Sequence, residues 1–111
     1  DAPEVELEEV YYFRFSKDDG YGFFRQWAAD GEFDMTMLVR NGDVVLCPKG
    51  YHGPTIAVPG YHMYFLNAMA GPGPERIWCA SDAPDHAWIN DNWEELGPDP
   101  RLPLTTYEGV V

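Results

Sequence analysis

Residues 5–15 read VELEEVYYFRF, and this stretch decides the fold because apolar and polar side chains alternate along most of it. A period of two residues is typical of a β-strand with one buried face. The sequence therefore predicts a strand from Val5 to Phe15. Its inward face would carry Val5, Leu7, Tyr11, Phe13 and Phe15, and its outward face Glu6, Glu8, Tyr12 and Arg14.

More short strands follow, separated by turns rich in Gly, Pro, Asn and Asp. The strongest turn signal is Asn41-Gly42, because glycine adopts the positive φ of tight hairpin turns, and it joins residues 35–40 to 43–48. Prolines and glycines predict a break around Tyr51 and His52. The later strands are predicted to be YGFFRQWAA (21–29), MTMLVR (35–40), DVVLCP (43–48), TIAV (55–58), YHMYFLNAM (61–69) and ERIWCAS (75–81).

This pattern of short strands, with no amphipathic helix of three turns, predicts an all-β antiparallel sandwich of the jelly-roll type. A chain of 111 residues fits a single domain. Beyond Asp82 the periodicity is lost, so residues 82–111 are predicted to form an irregular arm that packs on the sheet through its tryptophans. One helical turn is expected at Asp91–Leu96.

The composition narrows the class of partner. Net charge is −12, from 19 acidic and 7 basic residues, so nucleic acid and anionic membrane surfaces would be repelled. An acidic sugar would bind only beside a local cation or a metal. Cys47 and Cys79 lack a CxxC spacing, and no secretory or membrane-spanning segment is present in the sequence, which favours reduced thiols and a cytoplasmic location.

Glu9 is the first candidate for chemistry, because the parity that turns Tyr11 and Phe13 inward also turns this carboxylate inward. An ionised carboxylate in an apolar interior is costly unless it is paired, protonated or bound to a cation. The alternative is a one-residue slip or bulge that places Glu9 outside with Glu6 and Glu8.

His52 is the second candidate, at the end of the stretch GDVVLCPKGYH (42–52). A single histidine is more often a satisfied polar residue than a ligand. Here, however, the order of Gly, Pro, Gly and His resembles the second cupin motif, in which the histidine binds a metal. Two departures stand out: only one residue separates Gly50 from His52, and Ile56 occupies the position of the usual Asn.

Four segments together, LEEVYYFRF, GDVVLCPKGYH, PGYHMYFLNAMAGP and DPRLP, resemble the C-terminal half of the 5-deoxyglucuronate isomerase family. These are bicupins of inositol catabolism, related to 4-deoxy-5-threo-hexosulose-uronate ketol-isomerase. The resemblance covers residues 4–104 and is most specific over residues 42–74. It implies a cupin, or double-stranded β-helix, and a longer protein of which this chain, beginning without Met, is one part.

The resemblance implies a divalent metal, zinc or manganese, held by Glu9, His52 and two histidines upstream of Asp1. The implied reaction converts an aldehyde sugar acid into its 2-keto isomer through an enediol, with the metal polarising the carbonyl. Arg14 and Gln26 are the predicted substrate contacts. At Phe13 the family commonly carries His, so an apolar residue here removes a polar group from the cavity.

Two further expectations concern assembly and activity. Without the upstream histidines, metal binding by these 111 residues is expected to be weak or absent. The competing hypothesis is therefore a non-catalytic cupin that serves as a binding or interaction module. An open sheet edge predicts pairing with a second copy in a homodimer or larger assembly.

Overall fold

The computed structural model describes residues 4–103, 105–106 and 109–110. The chain divides into two compact units, Asp1–Ser81 and Asp82–Val111. The first unit contains two antiparallel sheets of three strands each. Because both candidate residues lie in this unit, its sheets determine the geometry of the site.

The first sheet has the order β4-β1-β6. Its central strand β1 spans Glu8–Phe15 and pairs on one side with β4, Val44–Cys47, and on the other with β6, Met63–Ala70. Burial along β1 alternates from Glu9 onward, with Tyr11, Phe13 and Phe15 buried and the residues between them exposed. The alternation in the sequence therefore predicted the inward face of this sheet.

The second sheet has the order β3-β2-β5. Strand β2, Tyr21–Trp27, lies between β3, Asp34–Arg40, and β5, Tyr51–Ala57. The pairing of β2 with β5 shifts register between Phe24 and Gln26, which is the signature of a β-bulge. Strand β5 thus includes His52 and the two residues that follow it, Gly53 and Pro54.

The inner faces of the two sheets meet in an aromatic core. Phe13 and Phe24 are fully buried, and their ring centroids lie 5.9 Å apart in an edge-to-face arrangement. Such pairs contribute about 0.5–1.5 kcal/mol beyond the area they bury. The buried cluster is completed by Tyr11, Phe15, Val39, Val45 and Cys47.

The turn at Asn41-Gly42 forms as predicted, but it does not make a hairpin. Gly42 has a φ of +83°, and the Asp43 amide donates to the Arg40 carbonyl. The strands on either side belong to different sheets, β3 to the second and β4 to the first. The turn between them contacts β1, where the Phe15 amide donates to Asn41 Oδ1 at 2.6 Å. The chain therefore crosses from one sheet to the other here.

The all-β sandwich is confirmed, with two corrections to its elements. The predicted strand at residues 75–81 is wrong, since these residues pair with no strand and Trp78 is 75% exposed. The predicted break at Tyr51 is also wrong, because β5 begins there.

In the second unit, a 3-10 helix, Ala87–Asn92, leads into α1, Trp93–Leu96, which confirms a helical turn at this position. Two short strands, β7 (Thr105–Thr106) and β8 (Gly109–Val110), pair with each other. The packing of this arm on the sheet stays a prediction. Over the described ranges, no helix has the length and apolar character needed to cross a membrane.

Candidate functional site

Glu9 and His52 approach each other from different sheets. Glu9 is on β1 of the first sheet, and its side chain is only 11% exposed, so the alternative in which it faces outward is excluded. His52 is on β5 of the second sheet, and its side chain is 25% exposed. Glu9 lies on the inward parity of β1, and the register shift in β5 sets His52 opposite the buried Gln26, so closing the sandwich brings the two side chains together.

The centre of the site is a triangle of polar atoms. His52 Nε2 lies 2.9 Å from Glu9 Oε2 and 3.0 Å from the Tyr11 hydroxyl oxygen. Asn67 Nδ2 donates to the other carboxylate oxygen, Glu9 Oε1, at 2.6 Å. Both oxygens of the half-buried carboxylate therefore have partners, as a buried charge requires.

The surroundings keep two neighbouring acidic groups protonated. Burial, followed by the negative charge of Glu9 and a hydrogen bond to it, raises the pKa of the Tyr11 phenol far above its usual value. Burial and the charge of Glu9 likewise raise the pKa of the Cys47 thiol to about 11. At neutral pH, Tyr11 is thus a hydrogen-bond donor and Cys47 is a thiol. Both side chains are neighbours of the Glu9 carboxylate.

Aromatic rings fix the orientation of the His52 imidazole. Its ring stacks on Phe24 at a centroid distance of 5.9 Å and meets the edge of Tyr11 at 5.4 Å. On its inner side, the site ends at Phe13, which is fully buried among the rings of Tyr11, Phe24 and Phe65. The polar groups are therefore gathered at the Glu9 end of the sandwich.

The two predicted substrate contacts are placed differently. Gln26 is 2% exposed, and its backbone pairs with that of His52. Arg14 lies on the opposite, outward face of β1, where Nη1 donates to the Tyr12 hydroxyl at 3.4 Å. The structure therefore puts Gln26 on the strand beside His52 but does not bring Arg14 to the site.

Tyr11 and Asn67 belong to the site although the sequence interpretation left them out. Tyr11 was assigned to the core by its parity, which is correct for its ring but overlooks its hydroxyl. Asn67 is the cross-strand partner of Tyr11. Its position could have been found from the sequence: residues 65, 67 and 69 share one face of a strand, so Asn67 is a polar residue on the inward face that carries Phe65 and Met69.

The donor atoms fit a divalent metal. An imidazole nitrogen and a carboxylate oxygen are ligands that zinc accepts at about 2.0–2.2 Å. Two such bonds at the tetrahedral angle of zinc put the donors about 3.4 Å apart, so the hydrogen-bonded pair of His52 Nε2 and Glu9 Oε2, at 2.9 Å, would open by about half an ångström around the ion. Within the described part of the chain, no group of three or more His, Cys, Asp or Glu side chains could hold a metal ion.

Comparison with known proteins gives one family. The model of the KduI/IolB family matches residues 1–89. The 5-deoxy-glucuronate isomerase of Geobacillus thermodenitrificans is 48% identical over 89 residues, which are 80% of this chain and 31% of that protein. The enzyme of the same name from Lacticaseibacillus casei is 49% identical over 86 residues, covering 77% of this chain and 30% of the relative.

A solved structure shares the architecture. The crystal structure of an IolB-like protein from Salmonella typhimurium LT2 superposes with a TM-score of 0.73 at 45% identity. The match covers 80% of this chain and 33% of that one. The chain thus spans about a third of the length of the relatives it matches, and the cupin-like sandwich is common to both structures.

Proposed function

The chain belongs to the KduI/IolB family, and from that premise we propose that it is a domain of a sugar-acid isomerase acting on 5-deoxy-glucuronate or a close analogue. Relatives named 5-deoxy-glucuronate isomerase support the sugar-isomerase class. The observation that carries the proposal is the 2.9 Å approach of His52 Nε2 to Glu9 Oε2. It gathers a carboxylate, an imidazole and a hydroxyl donor in one partly enclosed place.

The proposed reaction conserves every atom and electron of the substrate. The proton on C2 of the aldehyde sugar leaves, the C1 carbonyl oxygen gains a proton, and an enediol forms. The C2 hydroxyl then loses its proton as C1 gains one, and the 2-keto isomer results. Such steps need a group that moves protons and another that stabilises negative charge on the oxygens.

Glu9 and His52 are the residues of this chain that would hold the divalent metal, zinc or manganese. When bound, the metal supplies a Lewis acid for the carbonyl end of the sugar. Asn67 orients the Glu9 carboxylate by donating to Oε1, and the ring of Phe24 fixes the plane of His52. Partners of this kind tune a metal site through its ligands.

Tyr11 is proposed to turn its single O–H from Glu9 to a sugar oxygen, so that it keeps its proton and donates a hydrogen bond to the substrate. Its raised pKa keeps the phenol neutral at physiological pH. A neutral donor beside Glu9 would stabilise the negative charge that develops on a sugar oxygen during the reaction. The low dielectric of the surrounding aromatic rings strengthens this interaction.

One observation favours the alternative of a non-catalytic sugar-binding module. The described residues bring together two metal-binding side chains, and Phe13 makes the inner wall apolar. Such a module would keep the pocket and lose turnover. The cytoplasm is the proposed location in both cases, since burial and the neighbouring Glu9 keep the Cys47 side chain a thiol, as a reducing compartment does.

Isomerisation in D2O tests the proposal. The protein is incubated with zinc or manganese and 5-deoxy-glucuronate, and NMR follows the product. We expect a ketose carrying deuterium at C1. We also expect Glu9→Gln to lower kcat/KM at least about 100-fold, because the substitution removes the charged ligand.

Glu32→Gln is the matched control, since Glu32 is exposed and pairs with Lys49 away from the site. It should keep the wild-type rate. Turnover of Glu9→Gln within twofold of the wild type would contradict the proposal. Binding of the sugar without any turnover would favour the binding module instead.

A further inference from the structure

A hollow of about 610 Å³ lies where β1 begins and β6 ends. Its walls include the side chains of Leu7, Met69, Arg76 and Trp78. The segment after β6, which leaves the sheet and includes the 75% exposed Trp78, forms one wall. A space of this size accommodates a monosaccharide.

The hollow adjoins the polar triangle through two of its lining residues. Leu7 is two positions before Glu9 on the same face, about 6 to 7 Å along an extended chain. Met69 is the cross-strand partner of Glu9. A sugar lying in the hollow would therefore have one end near Glu9.

The charges of the site determine how an acidic sugar would be oriented in the hollow. The triangle contains the Glu9 carboxylate, whereas Arg76 is the one cation among the described residues that line the hollow, which also include the acidic Glu6 and Glu75. Two other cations are engaged elsewhere: Arg25 pairs with Asp34 and Lys49 with Glu32. In a chain of net charge −12, a carboxylate needs such a local cation to bind.

We propose that this hollow binds the sugar acid, with Arg76 holding its carboxylate and Trp78 covering an apolar face of its carbon chain; the inference rests on the proposed function. Arginine suits this role because its planar donors match a carboxylate in a bidentate pair. Glu6 and Glu75 also line the hollow and accept hydrogen bonds from sugar hydroxyls. The carbonyl end then faces Glu9.

Binding of D-glucuronate and of neutral D-glucose, measured by NMR titration on the full chain, tests this assignment. Arg76→Met should weaken glucuronate binding at least about 10-fold and leave glucose unchanged, because only the carboxylate contact is lost. Arg76→Lys should regain part of the affinity. Arg40→Met removes an equal charge from an outward position on β3 and should bind glucuronate like the wild type.

Two results would overturn the assignment: equal affinity of the wild type for both sugars, or unchanged glucuronate binding in Arg76→Met. The outcome is separable from that of the isomerase proposal. Binding that depends on Arg76 without turnover would support the binding site and contradict the isomerase proposal. Turnover that does not depend on Arg76 would support the isomerase proposal and contradict the binding site.

A different observation carries a second inference. The outward face of the β4-β1-β6 sheet is apolar: Leu46, Val10 and Ala68 form one cross-strand row, and Val44, Tyr12 and Leu66 form the next. Leu46 is 65% exposed and Leu66 55%. Contiguous apolar surface of this kind marks an interaction site in soluble proteins.

The charges on this face are self-complementary. Its exposed β1 residues are Glu8, Val10, Tyr12 and Arg14, so one acid and one base flank an apolar centre. The face has no net charge although the chain carries −12. A copy related by a two-fold axis near Tyr11, with its β1 antiparallel, would set Glu8 opposite the partner's Arg14 twice.

We infer that a second copy of this chain covers this face in a symmetric dimer. Stacked sheets pack about 10 Å apart with nearly aligned strands, which lets the long Glu8 and Arg14 side chains meet across the contact. The Tyr12 hydroxyl accepts from Arg14 and holds the guanidinium on this face.

Charge reversal tests the dimer by analytical ultracentrifugation. Glu8→Arg alone or Arg14→Glu alone should weaken the dimer at least about 10-fold, because each opposes like charges twice. The double variant should restore it. Arg40→Glu, on the other sheet, should leave it unchanged. A wild type that is monomeric at millimolar concentration, or a double variant as weak as the singles, would overturn the inference and point to another occupant.

Discussion

A single glycine controls how closely β2 approaches β5. A Cβ atom on Gly22 would lie 2.5 Å from the Ile56 carbonyl oxygen and 3.2 Å from the Met63 sulfur. Gly22→Ala should therefore destabilise the fold by about 1–3 kcal/mol, as overpacking does. The measurement is the urea midpoint of unfolding.

Gly73→Ala is the matched control, because a Cβ there meets nothing within 4 Å and its φ is not positive. It should change the free energy of unfolding by no more than about 0.5 kcal/mol. Equal midpoints for the two variants would show that β2 and β5 are not in close contact at this point.

At the scale of single residues, the sequence predicted the site only in part. The inward direction of Glu9 followed from parity, since the period of a strand is local. The roles of Tyr11 and Asn67 did not, because Asn67 reaches Glu9 only after strands 58 positions apart have paired. For Arg14, parity already placed the side chain outside, and proximity along the chain to Glu9 was misleading.

At the scale of elements, strands were predictable where apolar residues alternate. The prediction failed where the presence of a partner strand determines whether a segment joins the sheet. Residues 75–81 have strand-like side chains but no neighbour to pair with, and β-propensity depends on that context. Conversely, Gly53 and Pro54 suggested a break, yet β5 continues through them. It is an edge strand with a bulge, where proline is tolerated.

At the scale of the whole molecule, closing the sandwich assembles the candidate site. Neither sheet alone brings a carboxylate and an imidazole together, since Glu9 belongs to one and His52 to the other. The pattern of short strands predicted the all-β domain, and the net charge of −12 predicted that nucleic acid would be repelled, but neither could locate the cation that an acidic sugar needs. Arg76, which lines the hollow, is the cation we propose, and it belongs to a segment predicted to be a strand.

Zinc binding, measured by calorimetry with the wild type, Glu9→Gln, His52→Gln and the double variant, tests most directly whether the two residues form one site. We expect one weakly held zinc per chain, each single substitution lowering affinity at least about 10-fold and the second adding little, because both act on the same ion. Glu32→Gln should bind zinc as the wild type does. A wild type that binds no zinc at millimolar concentration, or single variants that bind it within twofold of the wild type, would contradict the account.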